Sequence, residues 1–164
     1  METIMSLDPV VQCFADEFER FHTYLLQQIE MCPQELWQSK NGGYYFWQEQ
    51  VHVFYCVQLY ALPEGQEEEC FGMEKKALML KEEAPSPLSK QEVLEIAGKM
   101  KAMANVFLGR MTQADFMRPN PALTRYAGKE RPNVAALIAM VRHYSYHIGS
   151  CDAMLRSHGL PGIY

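Results

Sequence analysis

The sequence lacks the features that would tie it to a nucleic acid or a membrane. Its 164 residues contain 15 Lys and Arg against 20 Asp and Glu, a formal net charge of −5. The basic residues occur singly or in pairs, so no basic stripe is available to displace counterions from phosphates. No stretch approaches the roughly 18 consecutive apolar residues of a membrane-spanning helix. We therefore expect neither a nucleic-acid partner nor a membrane partner.

The cysteines lack the spacing of a disulfide framework or a zinc finger. They are odd in number and irregularly spaced, without a CxxC pair: Cys13, Cys32, Cys56, Cys70 and Cys151. Such usage is typical of reduced thiols inside the cell. The opening Met-Glu-Thr-Ile-Met-Ser also lacks the basic and apolar regions of a secretory signal. Together these absences predict a cytoplasmic protein.

Helical periodicity is the feature that the sequence does contain. Apolar residues at three- and four-residue steps, limited by Pro and Gly, predict helices at about 9–31, 44–62, 90–108 and 134–157. No stretch alternates as a strand would. The length and the ordinary share of hydrophobic residues, 48%, fit one domain over residues 1–164. We predict an all-α, four-helix bundle.

Two long connections separate these helices. Residues 63–88 are predicted to hold a short helix near 74–81, and residues 109–132 a single turn that begins at Thr112. Ser89 and Glu92 form a capping-box pattern at the start of the third long helix. Unstructured connections of this length are uncommon and often form lids or the walls of binding sites.

Three of the five histidines lie inside helices that are predicted to be buried. His143 and His147 are four residues apart, so both imidazoles lie on one helix face and can reach a common ion at roughly 2.0–2.1 Å. His52 lies in the second helix between Val51 and Val53. Burying an imidazole ring without a hydrogen-bond partner or a bound ion costs free energy. From spacing alone, a shared metal ion and three separately hydrogen-bonded core rings remain equally open.

The order of these residues resembles the DinB-like (damage-inducible) four-helix bundles, which are described as metal-dependent enzymes. The matching positions are Trp47 and His52 in the second helix, the HxxxHxG motif of His143, His147 and Gly149, and the HGLP segment at 158–161. Ser150 departs from the pattern, because many relatives carry Gln after the glycine.

The resemblance implies an antiparallel bundle in which His52, His143 and His147 bind one divalent ion, nickel or zinc. Three nitrogen ligands leave a coordination position open, as in catalytic sites. A water or thiol bound there becomes a nucleophile near neutral pH. The resemblance implies two reactions on a small-molecule substrate: transfer of a low-molecular-weight thiol to an electrophile, as in bacillithiol- or mycothiol-dependent relatives, or metal-assisted hydrolysis. It also implies a homodimer.

Two alternatives to an enzyme stay open. The chain could be a metal-binding or stress-response module without catalysis, or a structural bundle with ordinary core histidines. A di-iron carboxylate site is disfavoured: Glu49 and His52 form one ExxH motif, but Met140 and Tyr144 stand where the partners of His143 and His147 would need Glu.

The remaining candidate residues receive non-ligand roles. Glu49 is predicted at the helix surface, with orientation of His52 as the alternative. His158 is predicted to cap the last helix. His22 is predicted to be a satisfied core or boundary histidine, with an approach to the metal pocket as the less favoured alternative. Cys56 and Cys151 each follow a proposed ligand by four residues. They are predicted as buried fillers, with metal ligation as the less favoured alternative.

Overall fold

The first long helix has the predicted limits. The computed structural model describes residues 7–41 and 43–164; the expectation about a secretory signal concerns residues outside this part. Helix α1 covers Pro9–Met31, after an Asp8 carboxylate that accepts a hydrogen bond from the Val10 amide at 3.0 Å. Proline suits the first helical turn because the amide it lacks would have no partner there. A short helix α2, Gln34–Trp37, follows at once.

The prediction of one continuous second helix at about 44–62 is wrong. Strand β1 (Lys40–Asn41) pairs antiparallel with strand β2 (Tyr44–Tyr45), and Gly43 between them has φ +126°. Helix α3 then covers Phe46–Tyr55 and helix α4 covers Gln58–Ala61. At the break the Val57 amide donates to the carbonyl of Phe54 at 3.0 Å, three residues back instead of four. The helix is therefore tightened between α3 and α4.

The first connection contains the expected short helix, α5, at Lys75–Leu78. The third long helix, α6, covers Lys90–Gly109. Ser89 and Glu92 form both hydrogen bonds of the predicted capping box. The predicted turn after Thr112 is a 3-10 turn at Gln113–Asp115.

A seven-residue helix, α7 (Pro121–Ala127), was not predicted within the second connection. The side chain of Asn120 caps it by accepting from the Leu123 amide at 2.7 Å, and Gly128 ends it with φ +66°. Asn120 also donates to the carbonyl of Tyr60 in α4 at 2.9 Å. The cap thus ties the second connection to the end of the second helical segment.

The last helix, α8, covers Asn133–Ser157, close to the predicted limits. Helix α1 packs on α8 and α6, while α3 packs on α6 and α8, and α4 packs on α7. Burying each large apolar side chain contributes roughly 1.5–3 kcal/mol. The fully buried side chains between the long helices include Phe18, Leu25, Phe54, Val93, Leu137 and Ile148.

The all-α class is therefore confirmed. In the part of the chain that the structure describes, the only sheet is the pair of two-residue strands β1 and β2. Within residues 7–41 and 43–164, no helix combines the length and apolarity that crossing a membrane requires. The same packing brings α3 and α8 face to face, which determines where their histidines lie.

The C-terminal segment folds back onto α8 around a buried carboxylate. Asp152 is 3% exposed and accepts hydrogen bonds from the amides of Ile163 and Tyr164 and from the side chain of Gln28 at 2.7 Å. A Cβ at Gly162 would meet the Arg156 guanidinium and lie 2.7 Å from Asp152 Oδ2, so a larger residue there would have to displace these side chains. Helices α1 and α8 are thereby joined to the tail through one side chain.

Candidate metal centre

The structure brings the three predicted ligands together. Helix α3 contributes His52, and consecutive turns of α8 contribute His143 and His147. The ring centroids are 5.0 Å apart for His52 and His143, 4.8 Å for His52 and His147, and 4.6 Å for His143 and His147. Three rings from two helices therefore converge on one small region of the interior.

A backbone contact orients the His52 ring. Its Nδ1 lies 2.7 Å from the carbonyl oxygen of Leu78, at the end of α5. A carbonyl only accepts, so Nδ1 carries the proton, and Nε2 keeps a free lone pair. Histidines that bind metals are commonly oriented by such a partner on the second nitrogen. The first long connection thus contributes to the arrangement of the site.

A carboxylate orients the His147 ring in the same way. Its Nδ1 lies 3.3 Å from Oε2 of Glu49, and both side chains are buried. The prediction that Glu49 lies at the helix surface is wrong: it is 7% exposed. The alternative, that Glu49 orients His52, also names the wrong ring. A buried carboxylate requires a partner, and the His147 ring across the α3–α8 interface supplies it.

His143 differs from the other two because its Nε2 is buried without a hydrogen-bond partner in the described part of the chain. An unpartnered buried polar atom is costly and calls for an explanation. Burial first, then the neighbouring His147 and His52, lowers the pKa of His143 from 6.5 to about 3. Burial likewise lowers the pKa of His52 to about 4. Both rings are therefore neutral at pH 7 and offer lone pairs to an electrophile.

A thiol completes the cluster. Cys56 Sγ lies 3.6 Å from Nδ1 and 3.8 Å from Nε2 of His52. Within residues 7–41 and 43–164, one set of His, Cys and acidic residues has donor atoms that all lie within 4.8 Å of one another: His52, Cys56 and His143. His147 is outside that set, although its ring adjoins the other two. The four-residue spacing of Cys56 from His52 was the sequence signal for this approach.

The other candidates lie apart from this cluster. His22 is 1% exposed and packs against the rings of Phe18 and Phe54, as expected of a core histidine. His158 is the residue that ends α8, and its Nδ1 lies 3.1 Å from the Met154 carbonyl, in agreement with a capping role. Cys151 is fully buried but is not part of the donor set.

The cluster approaches solvent on the α8 side. His143 is only partly buried. The ring of Tyr60 lies 6.3 Å from that of His143, and the ring of Tyr146, which is 72% exposed, lies 5.0 Å from that of His147. Neutral imidazoles beside a thiol suit a borderline or soft divalent ion. The donor set therefore fits a borderline or soft divalent ion close to the surface of the protein.

Comparison with known proteins supports the fold. No family model matches the chain, and no curated protein gives a significant match. Among solved structures, a crystal structure of a DinB-like protein from Bacillus cereus matches with a TM-score of 0.62 and 19% sequence identity. The match covers 92% of this chain and 95% of that one. The predicted resemblance to the DinB-like group is thus confirmed at the level of the fold.

Proposed function

We propose that this chain, which has the DinB-like fold, binds one divalent metal ion through His52, His143 and His147 and is a metal-dependent enzyme. The observation that carries the proposal is the convergence of three rings, with centroids 4.6 to 5.0 Å apart, from helices that are distant in sequence. The unpartnered Nε2 of His143 supports it, because an ion would satisfy that atom.

Hydrogen bonds within the protein orient two of the rings for metal binding, which also supports the proposal. His52 is held through its Nδ1 by the Leu78 carbonyl, and His147 through its Nδ1 by Glu49. Each ring therefore directs its other nitrogen away from its partner. Such outer contacts fix the tautomer and raise the basicity of a ligand. Little reorganisation is then needed on binding, which favours a tight and specific site.

The chemistry we propose is activation of a small nucleophile. A divalent ion with an open position lowers the pKa of a bound water or thiol and polarises an electrophile. Transfer of a low-molecular-weight thiol and metal-assisted hydrolysis both use this effect, and they remain the two candidate reactions. In either case the residues of the chain hold the ion and restrict access, with Tyr60 and Tyr146 beside the histidine rings.

The finer features that accompany this proposal stay predictions. They are an antiparallel arrangement of four main helices in a single domain, nickel or zinc as the ion, a cytoplasmic location and a homodimer. The helix contacts of α1, α3, α6 and α8 are compatible with the bundle.

A second candidate function is metal binding without catalysis. The observation that favours it concerns the buried carboxylate of the site: Glu49 contacts His147, so it is already engaged and is not a free general base. A screen of thiol cofactors with model electrophiles distinguishes the two functions. Turnover that rises with metal loading supports the enzyme, whereas a metal-loaded protein without turnover supports the binding module.

Elemental analysis of protein purified without an affinity tag tests the site. We expect about one divalent ion per chain in the wild type and loss of the ion in His52→Ala and His143→Ala. The matched control is His158→Ala, which removes an exposed histidine from the end of the same helix as His143. Wild-type protein that stays metal-free after incubation with nickel and with zinc would contradict the proposal.

A further inference from the structure

The thiol of Cys56 lies at the point where the helical backbone becomes irregular. Helix α3 ends at Tyr55, and two residues later the Val57 amide donates to the Phe54 carbonyl, three residues back instead of four. The Cys56 amide still bonds to the His52 carbonyl at 3.0 Å, so Cys56 lies one turn after His52 on the same face. Tightened turns inside helices often mark functional positions. Here the break lies at the residue that faces the histidine cluster.

The distance between the two side chains is close to that of two ligands on one ion. With metal–nitrogen bonds of about 2.0–2.1 Å and a metal–sulfur bond of about 2.3 Å, tetrahedral geometry separates N from S by about 3.6 Å. The observed separation of Cys56 Sγ from His52 Nε2 is 3.8 Å. Nε2 is the relevant nitrogen, since Nδ1 donates to Leu78. A nitrogen of His143 lies within 4.8 Å of Cys56 Sγ and of one nitrogen of His52.

We propose that Cys56 is a ligand of the metal ion, as a thiolate beside His52, His143 and His147. The proposal rests on the metal site proposed above and specifies its ligand set further. On binding, the S–H bond of Cys56 breaks, the proton passes to solvent and a metal–sulfur bond forms, with no oxidation or reduction. With Cys56 bound, a tetrahedral ion has no free position, so a substrate would need the fifth position that some catalytic zinc sites use in the transition state.

A thiolate ligand also determines which ions the site prefers. Thiolates favour zinc and other borderline or soft ions, whereas magnesium, calcium and manganese prefer oxygen donors. The site should therefore select zinc or nickel over manganese or magnesium, and loss of Cys56 should weaken that selection.

Cobalt-substituted protein provides a direct test. Untagged full-length chain is stripped with a chelator, loaded with Co²⁺ without oxygen and recorded from the near ultraviolet to the visible. We expect a thiolate-to-cobalt charge-transfer band in the wild type. The band should disappear in Cys56→Ser, while the visible bands of histidine-bound cobalt remain. The matched control is Cys151→Ser, which removes another buried thiol and should retain both sets of bands.

Zinc competition titrations separate a ligand from an orienting residue. Removing an orienting partner of a ligand typically weakens binding by about 10- to 100-fold. We expect Cys56→Ser to weaken zinc binding by more than this range. If that variant does not fold, X-ray absorption of the zinc-loaded wild type decides, with one sulfur expected at about 2.3 Å.

The outcomes distinguish this inference from the proposed function. Visible cobalt bands without a charge-transfer band, or a zinc spectrum that needs only nitrogen and oxygen ligands, would overturn the role of Cys56 and leave the three-histidine site intact. Persistence of the charge-transfer band in Cys56→Ser would overturn it as well. A wild type that binds neither ion would overturn the metal site itself.

Discussion

His22 and the three clustered histidines are all placed in the interior, but they have different surroundings. His22 belongs to α1 and is enclosed by the rings of Phe18, Phe54 and Tyr144, at centroid distances of 5.8, 5.5 and 6.2 Å. Its Nδ1 has no hydrogen-bond partner in the described part of the chain. The cluster instead surrounds each ring with other donors, and it adds Leu78 and Glu49 as orienting partners.

The comparison teaches what burial alone does to a histidine. Burial lowers the pKa of His22 and of His52 to about 4 in both environments, so a lowered pKa does not identify a ligand. What separates the cluster is a fixed tautomer together with further donors at ligand distance. In the described part of the chain, the Nδ1 of His22 has no hydrogen-bond partner and His22 is outside the donor set, which makes it an internal reference for the site.

Removal of the ion should give the largest difference between the two environments. If the ion is present at 100 to 1,000 times its dissociation constant, chelation should lower the free energy of unfolding by roughly 3–4 kcal/mol. We expect the same loss in His22→Phe and none in His143→Ala. Urea unfolding with and without a chelator measures this. An equal loss in His143→Ala would show that the stabilising ion binds elsewhere.

Lowering the pH should reduce the free energy of unfolding through protonation of His22. The pKa of His22 in the folded chain is about 4, below the ordinary value of 6.5, because burial disfavours the charged ring. Its neutral form therefore contributes stability above pH 6.5, and this contribution is lost as the pH falls from 6.5 towards 4. Over that window metal-free wild type should lose up to about 3 kcal/mol relative to His22→Phe.

Unfolding curves of both metal-free proteins at a series of pH values measure this difference. The other ionisable groups are the same in both proteins, so their contribution largely cancels in the comparison. His22→Leu serves as a second variant, since it removes the ionisable ring without adding volume. Curves for wild type and both variants that stay parallel down to pH 4 would contradict the prediction.

The smallest expected effect concerns the orienting carboxylate. Glu49→Gln keeps the shape of the side chain but weakens its hold on His147, so metal affinity should fall by about 10- to 100-fold, while binding is retained. Competition titrations with zinc measure it. Glu64→Gln, an exposed change outside the site, is the matched control and should leave affinity unchanged. An unchanged affinity in Glu49→Gln would remove the distinction we draw between orienting and non-orienting surroundings.

Local signals predicted much of the fold. The capping box of Ser89 and Glu92, and Pro9 at the start of α1, act within one turn, so their effects can be derived from neighbouring residues. The i, i+4 spacing of His143 and His147 similarly places two rings on one face of α8. Helix α7 has a local signal too, the Asn120 cap before Pro121, although the sequence pattern predicts only a single turn in that connection.

Distant contacts account for the features that sequence reasoning missed. At the break before α4, the Gln58 side chain donates to the Glu69 carbonyl at 3.0 Å and accepts from the Glu69 amide at 2.8 Å, which no local pattern reveals. Glu49 has the charge of a surface residue, and its partner His147 is 98 residues away. Sequence reasoning thus identified the three histidines, whereas their orienting partners and the approach of Cys56 required the folded chain. The metal itself stays a prediction.

The distance in sequence between α3 and α8 has a mechanical consequence. An ion bound by both helices would cross-link them and close a loop of chain that contains α4 to α7. The entropy of closing such a loop rises slowly, by only about 0.6 kcal/mol for each doubling of its length. Insertions in the exposed stretch 64–67 should therefore change the stability of the cross-link very little. A shift of the backbone at Leu78 should weaken it, because the Leu78 carbonyl orients the His52 ring.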